Sequence, residues 1–416
     1  MAVKPPQADE VNVVVIETGS SYTRAGFSGD SLPKYVVPTA YGKDANGDYY
    51  FDEEGVSTPL AGKEIYNPMN DGVIQDFEAI SRLWKYIYSE KLHMDPSEAP
   101  LLMPEQTWNP VINKQRTLET VFEELQVPIF SLVKAPLCAA YESARANALV
   151  IDIGGAVASV TPVVDGAIIN KGAMHSRLAG DFINLQILTY LQSRNIQLTP
   201  SYLIKKKSIL DPGQLANPEL YKLEGITESF HAYQVANLIH EFKETASQIS
   251  DVPLSAQSPL ARIARTFEFP DGFNLMFGAE RLATTEPLFR PGEFSQPGIA
   301  LPDDGSAMGL GELIYNSVSR SDINQDMIAP LVSNIIVSGG GSLLQGLTIR
   351  IENDMSHMLP NFNPRFFIPP NYLERKSVTW AGASILASLG SFDQQSWVTK
   401  EEYEEHGSKL AEKRFK

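Results

Sequence analysis

The chain has 416 residues, 43% of them hydrophobic, with a formal net charge of −16 and a single cysteine. That length supports two to four lobes with stable interiors and needs no disulfide or metal staple; a lone Cys138, in the apolar run "APLCAAY", excludes an intramolecular bridge and fits a reducing compartment. The acidity excludes a broad electrostatic grip on nucleic acid and favours basic protein segments as partners, or simply keeps the chain soluble.

The first residues show no cationic-then-apolar leader pattern, and no stretch approaches the roughly 18 apolar residues of a membrane span. A soluble intracellular protein is expected. The run "VNVVVIETGSSYTRAGFSG" (11–29) predicts a β-branched strand, an acid at Glu17, a turn at Gly19 and a return strand. The polar tract "YGKDANGDYYFDEEG" (41–55) reads as a short surface hairpin or loop. In "NKQRTLETVFEELQ" the spacing of Leu118, Val121, Phe122 and Leu125 predicts an amphipathic helix.

The strand, acid, glycine and return strand recur in "ALVIDIGGAVASVTPVV" (148–164), with Asp152 and Gly154 in the places of Glu17 and Gly19. Two similar α/β halves, their acids meeting across a cleft, follow from that pairing. "DFINLQILTYLQSR" predicts a helix capped by Asp181, with Phe182, Leu185, Leu188 and Leu191 on one face. "IKKKS" (204–208) reads as a solvated surface loop, with nuclear import as the alternative. The Pro/Gly-dense tract 287–309 has no period and predicts an exposed loop, and "SNIIVSGGGSLLQG" closes the series with a third strand ending in glycines. Alone, a GGG run is a turn and a Lys-Glu pair is a helix face; turns of this kind near an acid also let backbone amides approach phosphate oxygens.

Three motifs carry a resemblance: "AGFSGD" after the first hairpin, "SGGGSLLQG" in the third run, and "WAGASILASLGSFDQQSWVTKEEYEEHG" at 380–407. The chain resembles the actin family from about Val13 to Phe415, more weakly over 40–66 and 287–309. The resemblance implies an α/β actin-like fold, a duplicated ribonuclease-H-like unit in two large lobes around a nucleotide cleft. Four subdomains are implied: 1–38, 68–142 and 378–416 form the first; 39–67 the second, with a reduced loop; 143–178 and 287–377 the third; 179–286 the fourth.

The same resemblance implies bound ATP. One phosphate loop is Glu17, Thr18, Gly19, Ser20, Ser21 and Tyr22 with Arg24; the other is Asp152, Gly154, Gly155, Ala156 and Val157. Gly180, Lys243, Glu244, Gly339, Gly340, Gly341, Leu343, Leu344 and Lys376 fall at the nucleoside end. Glu17 and Asp152 are implied to hold Mg²⁺ through water, since Mg²⁺ keeps much of its hydration shell; with one anchor lost at Gly155, the metal is expected to be weakly held or absent. Glu17, Ser21, Arg24 and Gly155 replace the family's usual Asp, Gly, Lys and Asp. The glutamine and histidine that position the attacking water in actin fall at Ala135 and Ser159, so no catalytic residue is expected and ATP turnover should be negligible; a missing proton-handling group costs about 10²- to 10⁴-fold.

Both loops with which actin polymerises are altered here, at 41–55 and 287–309. These departures resemble the nuclear actin-related subunits of chromatin remodelers and of a histone acetyltransferase complex. Such a protein is implied to pair with actin, to dock a helical segment of a remodeler or acetyltransferase scaffold subunit, and to serve transcription regulation and DNA repair. Histones or nucleosomes are further candidate partners; membranes, strong direct DNA binding and self-polymerisation are not expected. The alternatives are a cytoskeletal actin-related protein that forms or caps filaments, and a phosphotransferase of the wider fold.

Overall fold

Val14, Val15 and Ile16 are wholly buried because neighbouring residues of their strand serve two different cores. Val14 and Ile16 pack in one apolar cluster and Val13 and Val15 in another, the alternation that buries a strand on both faces. The second run repeats this: Leu149, Ile151 and Ile153 enter one cluster, Ala148 and Val150 another. The computed structural model describes residues 12–255, 262–302, 307–319, 323–389 and 396–415. Parts of two sequence features, 303–306 of the Pro/Gly tract and 390–395 of the C-terminal motif, lie outside the described residues.

Each run nucleates a six-stranded sheet of one plan. In the first sheet Val14–Thr18 pairs antiparallel with Tyr22–Phe27 and parallel with Leu101–Glu105, which pairs parallel with Ile129–Lys134. In the second, Ala148–Ile153 pairs antiparallel with Ala158–Val164 and parallel with Ile335–Ser338, which pairs parallel with Phe366–Phe367. The twin halves expected from the paired acids are therefore present as two lobes of matching topology, a mixed α/β architecture. Between them the helices Ala135–Glu142 and Val378–Ser388 cross closely. A Cβ on Gly382 would stand 1.8 Å from the Cys138 carbonyl oxygen, so only glycine permits this approach.

Several local expectations change in tertiary context. The helix at 181 runs Gly180–Ser193 with Ala179 at its N-cap, so Asp181 lies in the first turn and is not the cap. Phe182 and Leu191 are buried and Leu188 packs against the core as the spacing predicts, but Leu185 is exposed and Ile183, Gln186 and Ile187 are buried as well, where the helix also packs against Glu228–Ala246. The helix at 113 starts earlier, at Val111, and widens into a π-helical segment at Thr120–Leu125; its four apolar residues are buried as expected. The tract 41–55 is a hairpin of Tyr41–Lys43 and Tyr49–Tyr50 followed by the helix Asp52–Ser57. It is more than surface, since Tyr41 stacks on Tyr49 at 5.4 Å and its hydroxyl donates to Asp76 at 2.9 Å. The lysines of 204–208 are exposed as expected, but Ile204–Lys206 is a short strand paired with Glu219–Leu220. The Pro/Gly tract begins with buried Pro287, Leu288 and Phe289 and includes the helical turn Pro291–Phe294, so its first residues are anchored in the core.

Candidate functional site

The two hairpin loops face each other across a cleft of about 510 Å³ between the lobes. Every sequence-predicted nucleotide-binding residue lines it except Thr18. Thr18 is turned away by strand alternation: its hydroxyl accepts from Trp84 Nε1 at 3.0 Å, and it lines a smaller neighbouring cavity together with Ala135.

The first loop is closed by the Gly19 amide donating to Tyr22 O at 3.1 Å. It is held from outside by Thr39, whose hydroxyl donates to Gly19 O at 2.7 Å, and by Asn67, whose amide donates to Ser20 O at 2.8 Å. The second loop closes in the same way, Gly154 N to Val157 O at 2.9 Å, and is braced by the start of the helix Gly180–Ser193: Gly180 N donates to Gly154 O at 3.1 Å and Asp181 N to Gly155 O at 2.7 Å. Rigid loops of this kind present backbone N–H groups to an anion without further ordering.

The acids do meet. Burial pushes the Glu17 carboxyl above its ordinary range, Arg24 opposes that shift at 3.4 Å, and Asp152 adds to it. Asp152 is likewise raised by burial and partly offset by a 2.7 Å hydrogen bond from Ser338 Oγ and by Arg24. Glu17 Oε2 is a buried oxygen with no hydrogen-bond partner among the described residues. Two desolvated carboxylates and one orphaned oxygen suit a hydrated Mg²⁺ bound through water; among the described residues no group of three or more His, Cys, Asp or Glu is gathered to ligate a metal directly. Gly155 offers no carboxylate, but those of Asp181 stand 3.4 and 3.6 Å from where its Cβ would be.

At the other end of the cleft, Lys243 is buried and donates to Gly180 O at 3.1 Å. Burial pulls its pKa down to about 8, against the opposing charges of Asp181 and Glu244. Glu244 sits between His240 at 3.3 Å and Lys376 at 3.4 Å, and chiefly the His240 hydrogen bond draws it down to about 2. The glycine run bends over this end: Gly339 has φ +86°, and a Cβ there would meet Ile153 O at 2.4 Å, while the same position on Gly340 opens into free space. Leu343 and Leu344 add an apolar wall.

Sequence reasoning missed Gln106, Trp108, Asp181, His240, Ser338 and Tyr372, all of which line the cleft. Three had a local signal: Asp181 follows Gly180, Ser338 precedes the glycine run, and His240 lies one helical turn before Glu244. Trp108 had none. It reaches the cleft by stacking on His175 at 4.3 Å and donating to Asp71 O at 2.8 Å. Ser159 is buried and pairs in register with both Asp152 and His175.

A family model described as Actin matches residues 8–416. Among curated proteins the chain is 39% identical to actin-related protein 4 of Yarrowia lipolytica, over 98% of this chain and 97% of that protein. It is 37% identical to actin-related protein 4 of Schizosaccharomyces pombe, over 98% of each. A third relative, from the same yeast, is the SWI/SNF and RSC complexes subunit arp42, 36% identical over 96% of this chain and 97% of that one. With a family model and full-length relatives agreeing, and with twin hairpin sheets around one cleft, the chain belongs to the actin family.

Proposed function

We propose that this protein is a nuclear actin-related subunit of chromatin-remodeling or histone-acetyltransferase complexes, one that binds ATP without hydrolysing it and acts as a scaffold. The observation that carries the reading is the chemistry of the cleft, where two closed glycine hairpins, the acids Glu17 and Asp152, the cations Arg24, Lys243 and Lys376 and an apolar wall meet. The family resemblance puts actin's water-orienting positions at Ala135, which lines the smaller neighbouring cavity, and at Ser159, buried in its strand. Backbone amides of the two loops and the Arg24 guanidinium would hold the phosphates. Lys243 and Glu244 would hold the nucleoside, with the glycine run beneath the base. Mg²⁺, held through water by Glu17 and Asp152, would neutralise phosphate charge. Hydrolysis needs a group that orients water in line with the γ-phosphate, and bound nucleotide then stabilises the fold by mass action without being spent.

The relatives' names support the setting, since one of them is a subunit of SWI/SNF and RSC complexes. Pairing with actin, and docking of a basic helix from a motor or scaffold subunit, fit the net charge of −16. The test has two arms. Nucleotide released by denaturing freshly purified protein should be ATP, with steady-state turnover far below that of conventional actin. A complex of this protein with actin should then bind a remodeler's helical segment. Turnover at the level of actin, or filament growth in Mg-ATP followed by light scattering, would refute the scaffold reading.

A further inference from the structure

Among the described residues three large aromatic side chains line the cleft: Tyr22, Trp108 and Tyr372. Tyr22 belongs to the first phosphate loop, and Trp108 has one ring face taken by His175. Tyr372 stands at the nucleoside end with Gly340, Leu343 and Lys376 and is 59% exposed. Among the described residues its ring meets no other ring or cation and its hydroxyl makes no hydrogen bond.

The segment that carries this bare ring is braced. Two prolines, Pro369 and Pro370, lead into the short helix Tyr372–Lys376, which is capped by Asn371, its side-chain oxygen accepting from Leu373 N at 2.9 Å. The helix is tied to the glycine run, Gly339 N donating to Arg375 O at 3.3 Å. The Arg375 guanidinium donates to Ser342 O at 3.4 Å and to Pro369 O at 3.3 Å. At its far end Lys376 donates to Glu244, on the helix Glu228–Ala246, at 3.4 Å. The glycine run itself is bare backbone: a Cβ on Gly341 would meet Ile153 Cγ2 at 2.5 Å, and one on Gly340 would face open space. Polar groups at this end are largely engaged with each other, since His240 and Lys376 both pair with Glu244 and Lys243 donates to Gly180 O.

We propose that Tyr372 is the base-stacking residue of the cleft, its ring lying against a purine that is seated on the glycine run. The proposal rests on the nucleotide-binding reading and names what grips the base; Tyr372 is not among the residues that the family resemblance carries to this end. A bare backbone floor, the leucine wall and an aromatic ring on a fixed bracket suit a flat π-system. A tyrosine loses only two side-chain torsions when it is held, so the contact costs little ordering. Stacking accepts any base, and the larger purine covers more of the ring than a pyrimidine does, so this end selects by ring area.

The test measures equilibrium binding of ATP, CTP and inorganic tripolyphosphate to the full chain. The parent should bind ATP more tightly than CTP. Tyr372→Ala should weaken ATP binding by about fivefold or more, since alanine in place of a stacked aromatic costs at least about 1 kcal/mol. It should also narrow the preference for ATP over CTP and leave tripolyphosphate binding unchanged. Tyr372→Phe, which keeps the ring, should keep the parental ATP affinity. The side chain is exposed, so the melting temperature of either variant without nucleotide should match the parent. Parental ATP affinity in Tyr372→Ala, an equal loss for ATP and tripolyphosphate, or failure of Tyr372→Phe to hold ATP overturns the stacking role and leaves the nucleotide reading intact. A parent that binds neither ATP nor tripolyphosphate refutes the nucleotide reading and the stacking role with it.

Discussion

Ser21 and Gly155 are complementary across the cleft: the Ser21 hydroxyl oxygen lies 2.5 Å from the point where a Cβ on Gly155 would stand. Both are positions where the resemblance implies a departure from the actin pattern, and the Ser21 side chain fills the space that a side chain at 155 would occupy. Restoring one alone should therefore fail. Gly155→Asp should lower the melting temperature and weaken nucleotide binding, and adding Ser21→Gly should recover both. A double-mutant cycle should give a coupling energy of about 1 kcal/mol or more, within the range for residues in contact; additive effects would show that the pair is independent.

On the proposed nucleotide-binding function, Lys243 should tie binding to pH. Its pKa of about 8 lies below the ordinary lysine value of 10.5, so between these values the unfolded chain binds more protons than the folded one. This group's contribution to stability therefore rises with pH across that window, and below about 8 the buried ammonium is a cost. An anionic nucleotide favours the charged form, so binding should take up protons near pH 8 and weaken as pH rises above it. Calorimetry in buffers of different ionisation enthalpy measures that uptake, and Lys243→Met should abolish it.

Gly382 sets the distance between the two helices that cross at the junction of the lobes. A methyl group 1.8 Å from the Cys138 carbonyl oxygen cannot be accommodated unless the helices separate. Gly382→Ala should cost about 2 kcal/mol or more, as overpacking against backbone does, although alanine is the better helix former. Urea denaturation measures this, and a neutral result would mean that the junction is loosely packed.

Arg350 and Glu286 form a fork of two hydrogen bonds at 2.8 and 2.9 Å with both side chains essentially inaccessible. Asp354 at 3.0 Å and the Phe289 ring at 4.4 Å complete the surroundings of the guanidinium. Glu286 immediately precedes the Pro/Gly tract, so the pair anchors that tract's buried beginning. Glu286→Ala leaves the buried Arg350 with Asp354 as its remaining carboxylate partner and should cost about 3 kcal/mol, whereas the double change Glu286→Leu with Arg350→Met should recover part of it. Thermal melting of the two variants makes the comparison.

Much of the site was legible before any coordinates. Glycines beside an acid on a β-branched strand have few uses, and twenty of the residues named from that pattern and from the family resemblance line one cleft. Thr18 failed for a reason that local pattern does not carry: its hydroxyl found Trp84 in the core. Trp108 was missed because a tryptophan in a polar, proline-flanked segment reads as surface until a partner such as His175 covers it. The helix at Gly180–Ser193 was placed by its apolar spacing, yet the exposure of Leu185 and the burial of Ile183 and Gln186 depend on packing that includes the helix Glu228–Ala246.

The sequence by itself determined the twin hairpins, the acids at their tips and the residue types at 135 and 159, an alanine and a serine. These are matters of local strand and turn chemistry and of residue identity. Tertiary structure alone decided that Ser21 fills the space above Gly155, that Asp181 stands beside it, and that Phe230 closes against Ile65 and Val56. Each of those contacts joins residues far apart in the chain, and no spacing rule encodes them. They exist because two lobes bury their facing surfaces against each other.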